Sequence, residues 1–394
     1  MEDISYKFET NAIRSQCGQS QYREHSTPLF LTSSFTFENA EQGAAIFDGS
    51  EQGNLYSRFS NPNTQELIDK LCVLENCESG IATASGMAAI YTTFAALLSQ
   101  GDHILASKDI FGNALYIITK ILPKMGIEYT LVDVDNNEAW RKGVRKNTKL
   151  LYLETPSNPT LKIADLRYIS QLCQANNIIS IVDNCFATPY LQRPTDFGID
   201  VVVHSATKYI DGQGRVLGGA VLGKNTIISK CYEFVRRTGA CLSPFNAWLL
   251  SKSLETLAIR MDRHCANAHA VAQWLENSNK AKNISYPFLP SNNQYRLAKD
   301  QMKLGGGLVA FEIEGGATEA MKFINNLQIY SLTANLGDSR SIATHPASTT
   351  HSKLTATQQK EAGISPGYIR LSIGLENVQD LINDLDQAQN KINH

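Results

Sequence analysis

Three apolar runs in this chain, KLLYL, IISIV and DVVV, each stop at polar residues whose types could do chemistry. Glu154 and Asn158 follow the first run, Asp183 and Asn184 the second, and Ser205, Thr207 and Lys208 the third. Lysines are ordinarily solvated, so Lys208 at the end of a buried strand calls for an explanation. In open parallel sheets, ligands bind outside the carboxyl ends of the strands. An acid, an amide, hydroxyls and an amine are therefore expected on one sheet edge. A lysine amine becomes a nucleophile when burial and cationic neighbours lower its pKa.

One cofactor suits that set. Pyridoxal 5'-phosphate needs an amine for its aldehyde, a carboxylate for its ring nitrogen, an anion site and a surface that holds a ring. Lys208 can supply the amine and Asp183 the carboxylate. The stretch TASGMAAIY offers the anion site: Ser85 and Gly86 open a helix whose free N–H groups attract phosphate, and glycine lets the backbone come close. The hydroxyls of Ser205 and Thr207 add donors.

The elements that must position these residues follow from the pattern. Residues 1–65 hold few periodic segments. From 66 to about 245, short apolar strands alternate with amphipathic helices such as QELIDKLCVLEN and LRYISQLCQANN, the pattern of a parallel sheet covered on both faces. A long helical stretch over 242–277 leads to a smaller α/β layer containing LVAFEIEG, INNLQIYSLTAN and YIRLSIGLEN, closed by the helix VQDLINDLDQAQNKI. The predicted division is an arm over 1–65, a cofactor-binding domain over 66–250 and a C-terminal domain over 251–394.

Composition excludes other classes. Of 394 residues, 43% are hydrophobic and 19% charged, and the net charge is −2, so neither disorder nor a nucleic-acid partner is indicated. No stretch approaches the ~20 apolar residues of a membrane helix, and MEDISYKFETNAIRSQ has no apolar leader core. The eight cysteines lack CxxC spacing, which fits reduced thiols in the cytoplasm. HPASTTH has two histidines without a third ligand at metal spacing, so no metal site is expected. GGAVLGKN fits GxxxxGK, but Asn225 stands where a phosphate loop needs Ser or Thr. The absence of GxGxxG after the first strand argues against a nicotinamide dehydrogenase.

YSRFSNPN, ASGMAAI, ETPSNPT, IVDNCFATPY, DVVVHSATKY, HPASTTH and IRLSIGLE together resemble the Cys/Met-metabolism group of pyridoxal-phosphate enzymes, across nearly the whole chain. The resemblance implies a PLP-dependent transferase of fold type I, with a mostly parallel central sheet and a smaller C-terminal α/β domain. It implies that Lys208 bonds the cofactor aldehyde, Asp183 pairs the ring nitrogen, and Gly86, Met87, Ser205 and Thr207 hold the phosphate. Tyr56 and Arg58 of a neighbouring subunit would reach that phosphate, which implies a dimer of dimers. Asn158 would touch the ring oxygen, and Arg370 with Ser341 would bind the substrate α-carboxylate.

The implied activity is γ-replacement on an O-acylated homoserine with sulfide, giving homocysteine in methionine biosynthesis by trans-sulfuration enzymes. SATKYIDGQGR and LSPFNAW most resemble members acting on the O-succinyl ester. Cystathionine γ-synthase and O-acetylhomoserine chemistry are the alternatives, with a cystathionine or methionine lyase behind them. One departure is expected to matter: where most of the family carries a ring-stacking tyrosine, DIFGNAL has Phe111, which stacks but moves no proton. Asn113 stands where γ-lyases usually carry cysteine. Arg215, a cation where relatives often carry an acid, is expected either to read the succinyl carboxylate or to pair with Asp211.

Overall fold

The structure is a computed structural model that describes residues 6–16, 18–278, 280–352 and 355–392. Seven strands form the larger sheet: β1 (Ser79–Thr83), β2 (His103–Ser107), β3 (Glu128–Val132), β4 (Thr148–Glu154), β5 (Ile179–Asp183), β6 (Val201–Ser205) and β7 (Gly219–Gly223). Their order is β1-β7-β6-β5-β4-β2-β3. β7 runs antiparallel to both neighbours, and the remaining pairs are parallel. The rejected phosphate-loop match GGAVLGKN is β7 and the start of the Asn225–Thr238 helix.

Near-continuous apolar strands work here because both faces are covered. Ile104, Tyr152, Ile181 and Val203 pack with Phe94 of the Gly86–Leu97 helix and Cys231 of the Asn225–Thr238 helix. On the other face, Leu105, Leu151, Leu153 and Val182 pack with Trp140 and with Ile169 and Cys173 of the Leu166–Asn176 helix. That helix starts where the Asp165 carboxylate accepts the Tyr168 N–H, an N-cap that satisfies an otherwise orphaned donor. All seven described cysteines are free thiols.

The smaller sheet comprises β8 (Lys282–Ser285), β9 (Leu308–Glu312), β10 (Ser331–Leu332), β11 (Ile342–Thr344) and β12 (Tyr368–Ser372), ordered β10-β11-β12-β9-β8. All its pairs are antiparallel except β10 with β11. The opening segment is irregular, as its sequence suggests, with short helices at Phe8–Arg14 and Ala40–Asp48. No helix among the described residues is long and apolar enough to cross a membrane.

The stretch read as one long helix over 242–277 is two, Pro244–Leu254 and Leu257–Ser278. The break is put to use. Arg260, only 6% exposed, donates to the freed Ser253 carbonyl at 2.9 Å and to the Tyr209 and Ile210 carbonyls at 2.6 and 3.2 Å. A buried guanidinium thus fixes the backbone immediately after Lys208. Removing it takes a charged donor from all three carbonyls, of which Ser253's keeps the Thr256 N–H and hydroxyl, and bonds to charged groups contribute about 1.5–3 kcal/mol each. Arg260→Ala is therefore expected to lower the unfolding free energy by about 3 kcal/mol or more, measured by urea unfolding; an unchanged midpoint and slope would contradict the assigned role.

Candidate active site

The carboxyl ends of β4, β5 and β6 face a cavity of about 260 Å³ whose lining includes Glu154, Asp183, Ser205 and Lys208. Strand pairing creates this arrangement, since Glu154 lies in register with Asp183 and Asp183 with Val203. Ser85, Gly86, Met87, Phe111, Asn158, Thr207 and Arg370 line the same cavity. Residues more than 280 positions apart in sequence thus meet at the edge of one sheet.

Lys208 lies on the turn after β6, and its Nζ donates to Asn335 Oδ1 at 2.6 Å. Burial lowers its pKa, and the Arg370 charge adds to the fall against an opposing effect of Cys185. The ammonium is deprotonated more easily than a solvated one, the condition a nucleophilic amine needs.

Asp183 ends β5. Its carboxylate accepts the Cys185 N–H at 3.0 Å and the Tyr152 hydroxyl at 3.4 Å. Burial raises its pKa to about 6, and the Cys185 N–H, His204 and the Tyr152 hydroxyl pull against that rise. Glu154 accepts the Phe111 N–H at 3.0 Å. Burial, then the Asp183 charge, pushes Glu154 well above the ordinary carboxyl range. Two adjacent buried carboxyls resist ionising together.

At the opposite end, the Gly86–Leu97 helix points its first turn into the cavity. Ser85 Oγ caps the Ala88 N–H at 3.1 Å, so the N–H groups of Gly86 and Met87 have no partner within the helix. A Cβ on Gly86 would lie 2.5 Å from Ser205 Cβ. Only glycine lets the helix start close on β6, and the resulting cradle of backbone donors and hydroxyls suits a phosphate. The donor set therefore fits pyridoxal 5'-phosphate: an amine, a carboxylate and an anion cradle lining one cavity.

Arg370, on β12 and 1% exposed, is a buried cation with no carboxylate in an ion pair among the described residues. Its Nη1 donates to Asn158 Oδ1 at 2.8 Å and Nη2 to the Asn335 carbonyl at 3.3 Å, while Nε has no partner. Burial depresses its pKa to about 10. A guanidinium with neutral partners and an unused donor is suited to an incoming carboxylate.

Several expected residues lie elsewhere. Ser341, expected beside Arg370, is fully buried; its Oγ donates to Glu376 at 2.9 Å and accepts the Gly374 N–H at 2.8 Å. Asn335 holds the place beside Arg370 and also meets Lys208. Two residues on, a Cβ on Gly337 would lie 2.7 Å from the Tyr209 nitrogen, so this segment packs directly on the Lys208 turn.

Arg215 does not line the cavity either. Its guanidinium is bonded to the buried Asp211 carboxylate at 2.9 and 3.0 Å and to the Ser253 hydroxyl. Both partners lie outside the cavity lining, so the guanidinium serves the Asp211 turn in this structure. Tyr56 and Arg58, expected to serve a neighbouring subunit's site, are not among the lining of this chain's cavity; the Arg58 guanidinium lies 4.6 Å from the Phe59 ring centre and is bonded to the Arg236 carbonyl. Cys185, 6% exposed, lines the cavity unforeseen.

Comparison with known proteins agrees with this site. The family described as Cys/Met metabolism PLP-dependent enzyme matches residues 9–390. The chain is 41% identical to an O-succinylhomoserine sulfhydrylase of Pseudomonas aeruginosa, over 96% of this chain and 94% of that protein. It is 42% identical to an L-methionine gamma-lyase of Fusobacterium nucleatum, over 97% and 98%. A solved Campylobacter jejuni structure containing N'-pyridoxyl-lysine-5'-monophosphate superposes with a TM-score of 0.94 at 37% identity, covering 98% of this chain and all of that one. The chain belongs to the Cys/Met-metabolism family of PLP-dependent enzymes, with their fold and with pyridoxal 5'-phosphate as its cofactor.

Proposed function

We propose that this enzyme replaces the γ-substituent of an O-acylated homoserine with sulfur, using sulfide and releasing homocysteine. The observation that carries this reading is that the ring at position 111 lacks the phenolic hydroxyl that could protonate a leaving group, in a cavity whose other polar groups include the Thr350 hydroxyl and the Glu154 carboxyl. Phe111 brings a ring without a hydroxyl. Asp183 and Glu154 sit side by side at the strand ends, where they serve the ring nitrogen. The Cys185 thiol is bonded to the Ser205 carbonyl at 3.5 Å and burial pushes its pKa well up, making it a poor donor. Lys208 is left as the group that moves protons at the substrate carbons.

The leaving group then decides between chemistries. An acyl ester departs as a carboxylate, whose acid form has a pKa near ~4, and needs no proton on leaving. A thioether departs as a thiolate, a far stronger base at about 8.5 for a cysteine-like thiol, and benefits from a general acid. A site with one exchanging amine favours the ester. The relatives divide between sulfhydrylases and methionine lyases at nearly equal identity, so they support chemistry at the γ-carbon without choosing between replacement and elimination.

In this reading Lys208 would hold the cofactor through its aldehyde and its amine would take the α-proton, the bound cofactor supplying an electron sink. Asp183 holds the ring nitrogen, Phe111 stacks, Asn158 orients the ring oxygen and Arg370 takes the α-carboxylate. Gly86, Met87, Ser205 and Thr207 hold the phosphate. Tyr56 and Arg58 complete that phosphate site from a second copy, which makes the working form a homo-oligomer. The succinyl ester is the preferred acyl form, supported by the SATKYIDGQGR and LSPFNAW resemblance and by the Pseudomonas relative; Arg215 is not carried forward as its reader.

Purified enzyme should form homocysteine from O-succinylhomoserine and sulfide with a kcat/KM about 10²-fold above its elimination of methionine, the scale of a missing general acid. Methionine elimination as the faster reaction would contradict the proposal. Phe111→Tyr should raise methionine elimination and leave ester replacement nearly unchanged.

Arg370→Leu should lower kcat/KM for every amino-acid substrate by about 2 kcal/mol or more, because all share the α-carboxylate. Steady-state kinetics on the two homoserine esters check this, and an unaltered kcat/KM would place the carboxylate elsewhere.

A further inference from the structure

Three polar residues of the cavity lining, Asn113, Cys185 and Thr350, hold neither the cofactor nor the α-carboxylate in the reading above. Asn113 is exposed to solvent, and the Cys185 thiol is turned to the Ser205 carbonyl. Thr350 is half-buried, and its Oγ1 lies 2.9 Å from Nδ1 of His351, which is only 5% exposed. The turn that carries the pair is fixed from two sides. The His351 N–H donates to the Pro346 carbonyl at 2.9 Å. Gln359, on the Ala356–Glu361 helix, donates from Nε2 to the Ala347 and His351 carbonyls at 2.9 and 3.0 Å. On the other side, a Cβ on Gly112 would lie 3.3 Å from the Thr350 carbonyl oxygen. A hydroxyl is thus held against the segment whose ring, Phe111, lacks one.

The imidazole decides which way that hydroxyl points. Burial, then the Arg370 charge, lowers the His351 pKa to about 4, so the ring is neutral at about pH 7. A neutral imidazole has one N–H and one lone pair. With the proton on Nδ1, His351 donates to Thr350 Oγ1 and leaves the threonine O–H for the cavity. With the proton on Nε2, Nδ1 takes the threonine proton and only lone pairs face a ligand. An ester oxygen accepts hydrogen bonds and gains charge as it leaves, so it needs the first arrangement.

We propose that the Thr350 hydroxyl, with His351 as its positioning residue, donates a hydrogen bond to the γ-ester of the substrate and stabilises the carboxylate that departs. This rests on the reading of an O-acylated homoserine as substrate. In that step the β-carbon gives up a proton to the Lys208 amine, and the electron pair left behind forms the Cβ–Cγ double bond. The Cγ–O bond breaks, and its pair leaves on the carboxylate oxygen. Thr350 keeps its proton throughout. An aliphatic hydroxyl is too weak an acid to protonate a departing thiolate, so it gives a thioether substrate little. The departing carboxylate is common to all acyl esters, and the contact does not read the acyl chain.

The test compares kcat/KM for O-succinylhomoserine and O-acetylhomoserine, each with sulfide, against elimination of methionine in the holoenzyme and its variants. Thr350→Val should lower the ratio of ester to thioether kcat/KM at least about ten-fold, through kcat and on both esters alike. Thr350→Ser should restore the ratio. His351→Leu should lower it in the same direction, and His351→Asn, whose amide N–H replaces that of Nδ1, should recover most of the loss. An unchanged ratio in Thr350→Val, equal losses on ester and thioether included, overturns the inference and leaves the substrate reading standing. Methionine elimination as the faster wild-type reaction, with the ratio still falling in Thr350→Val, contradicts the substrate reading and supports the role of Thr350. A wild type that turns over neither ester overturns both. Should the variants not fold, 15N-histidine spectra of the wild-type holoenzyme at about pH 7 decide: His351 protonated on Nδ1 supports the inference, and protonation on Nε2 overturns it.

Discussion

A half-buried lysine and a buried arginine share one cavity, and much of the molecule serves to hold them there. Lys208 and Arg370 are both depressed in pKa chiefly by burial, and both rest on neutral partners, Asn335 for each and Asn158 for Arg370. Ion pairs would have made their burial easier and left them inert. Amide and carbonyl oxygens instead hold them in place while leaving each able to exchange partners. That arrangement requires the larger sheet to present the turn at 206–211, the smaller sheet to present β12, and the 335–337 segment to lie between them.

The same economy extends to protons. An enzyme working at a γ-carbon must move protons at the α- and β-carbons and release a leaving group. Where Phe111 replaces a hydroxylated ring, the amine of Lys208 carries a larger share of those transfers. A leaving group that is already a stable anion relieves the shortage. Specificity for an ester over a thioether can then arise from what the cavity lacks, without any residue that recognises the acyl group. This fits the turn of Arg215 toward Asp211, which orders the loop after Lys208 and contributes nothing to the cavity.

The larger sheet was legible because its strands are buried on both faces and read as short apolar runs bounded by turns, down to the polar residues that end them. β8 and β11 were not: KNIS is a short, partly exposed edge strand, and three residues of β11 carry no period. Among site residues, those fixed by a local motif were readable, namely the strand-end set and the helix opening at Gly86. Asn335 and Arg260 were not, because each acts through contacts across 50 or more residues. Ser341 lies off the cavity lining because Glu376 claims its hydroxyl, a contact that no spacing along the chain reveals.

The central claim is that the Lys208 amine, lowered by burial and held by Asn335, is the group that carries the cofactor. Borohydride reduction of the holoenzyme, followed by digestion and mass spectrometry, tests it most directly. A pyridoxyl-phosphate adduct on Lys208, within the peptide containing HSATKYIDGQGR, is the predicted result. The adduct on any other lysine, with Lys208 unmodified, would contradict the account.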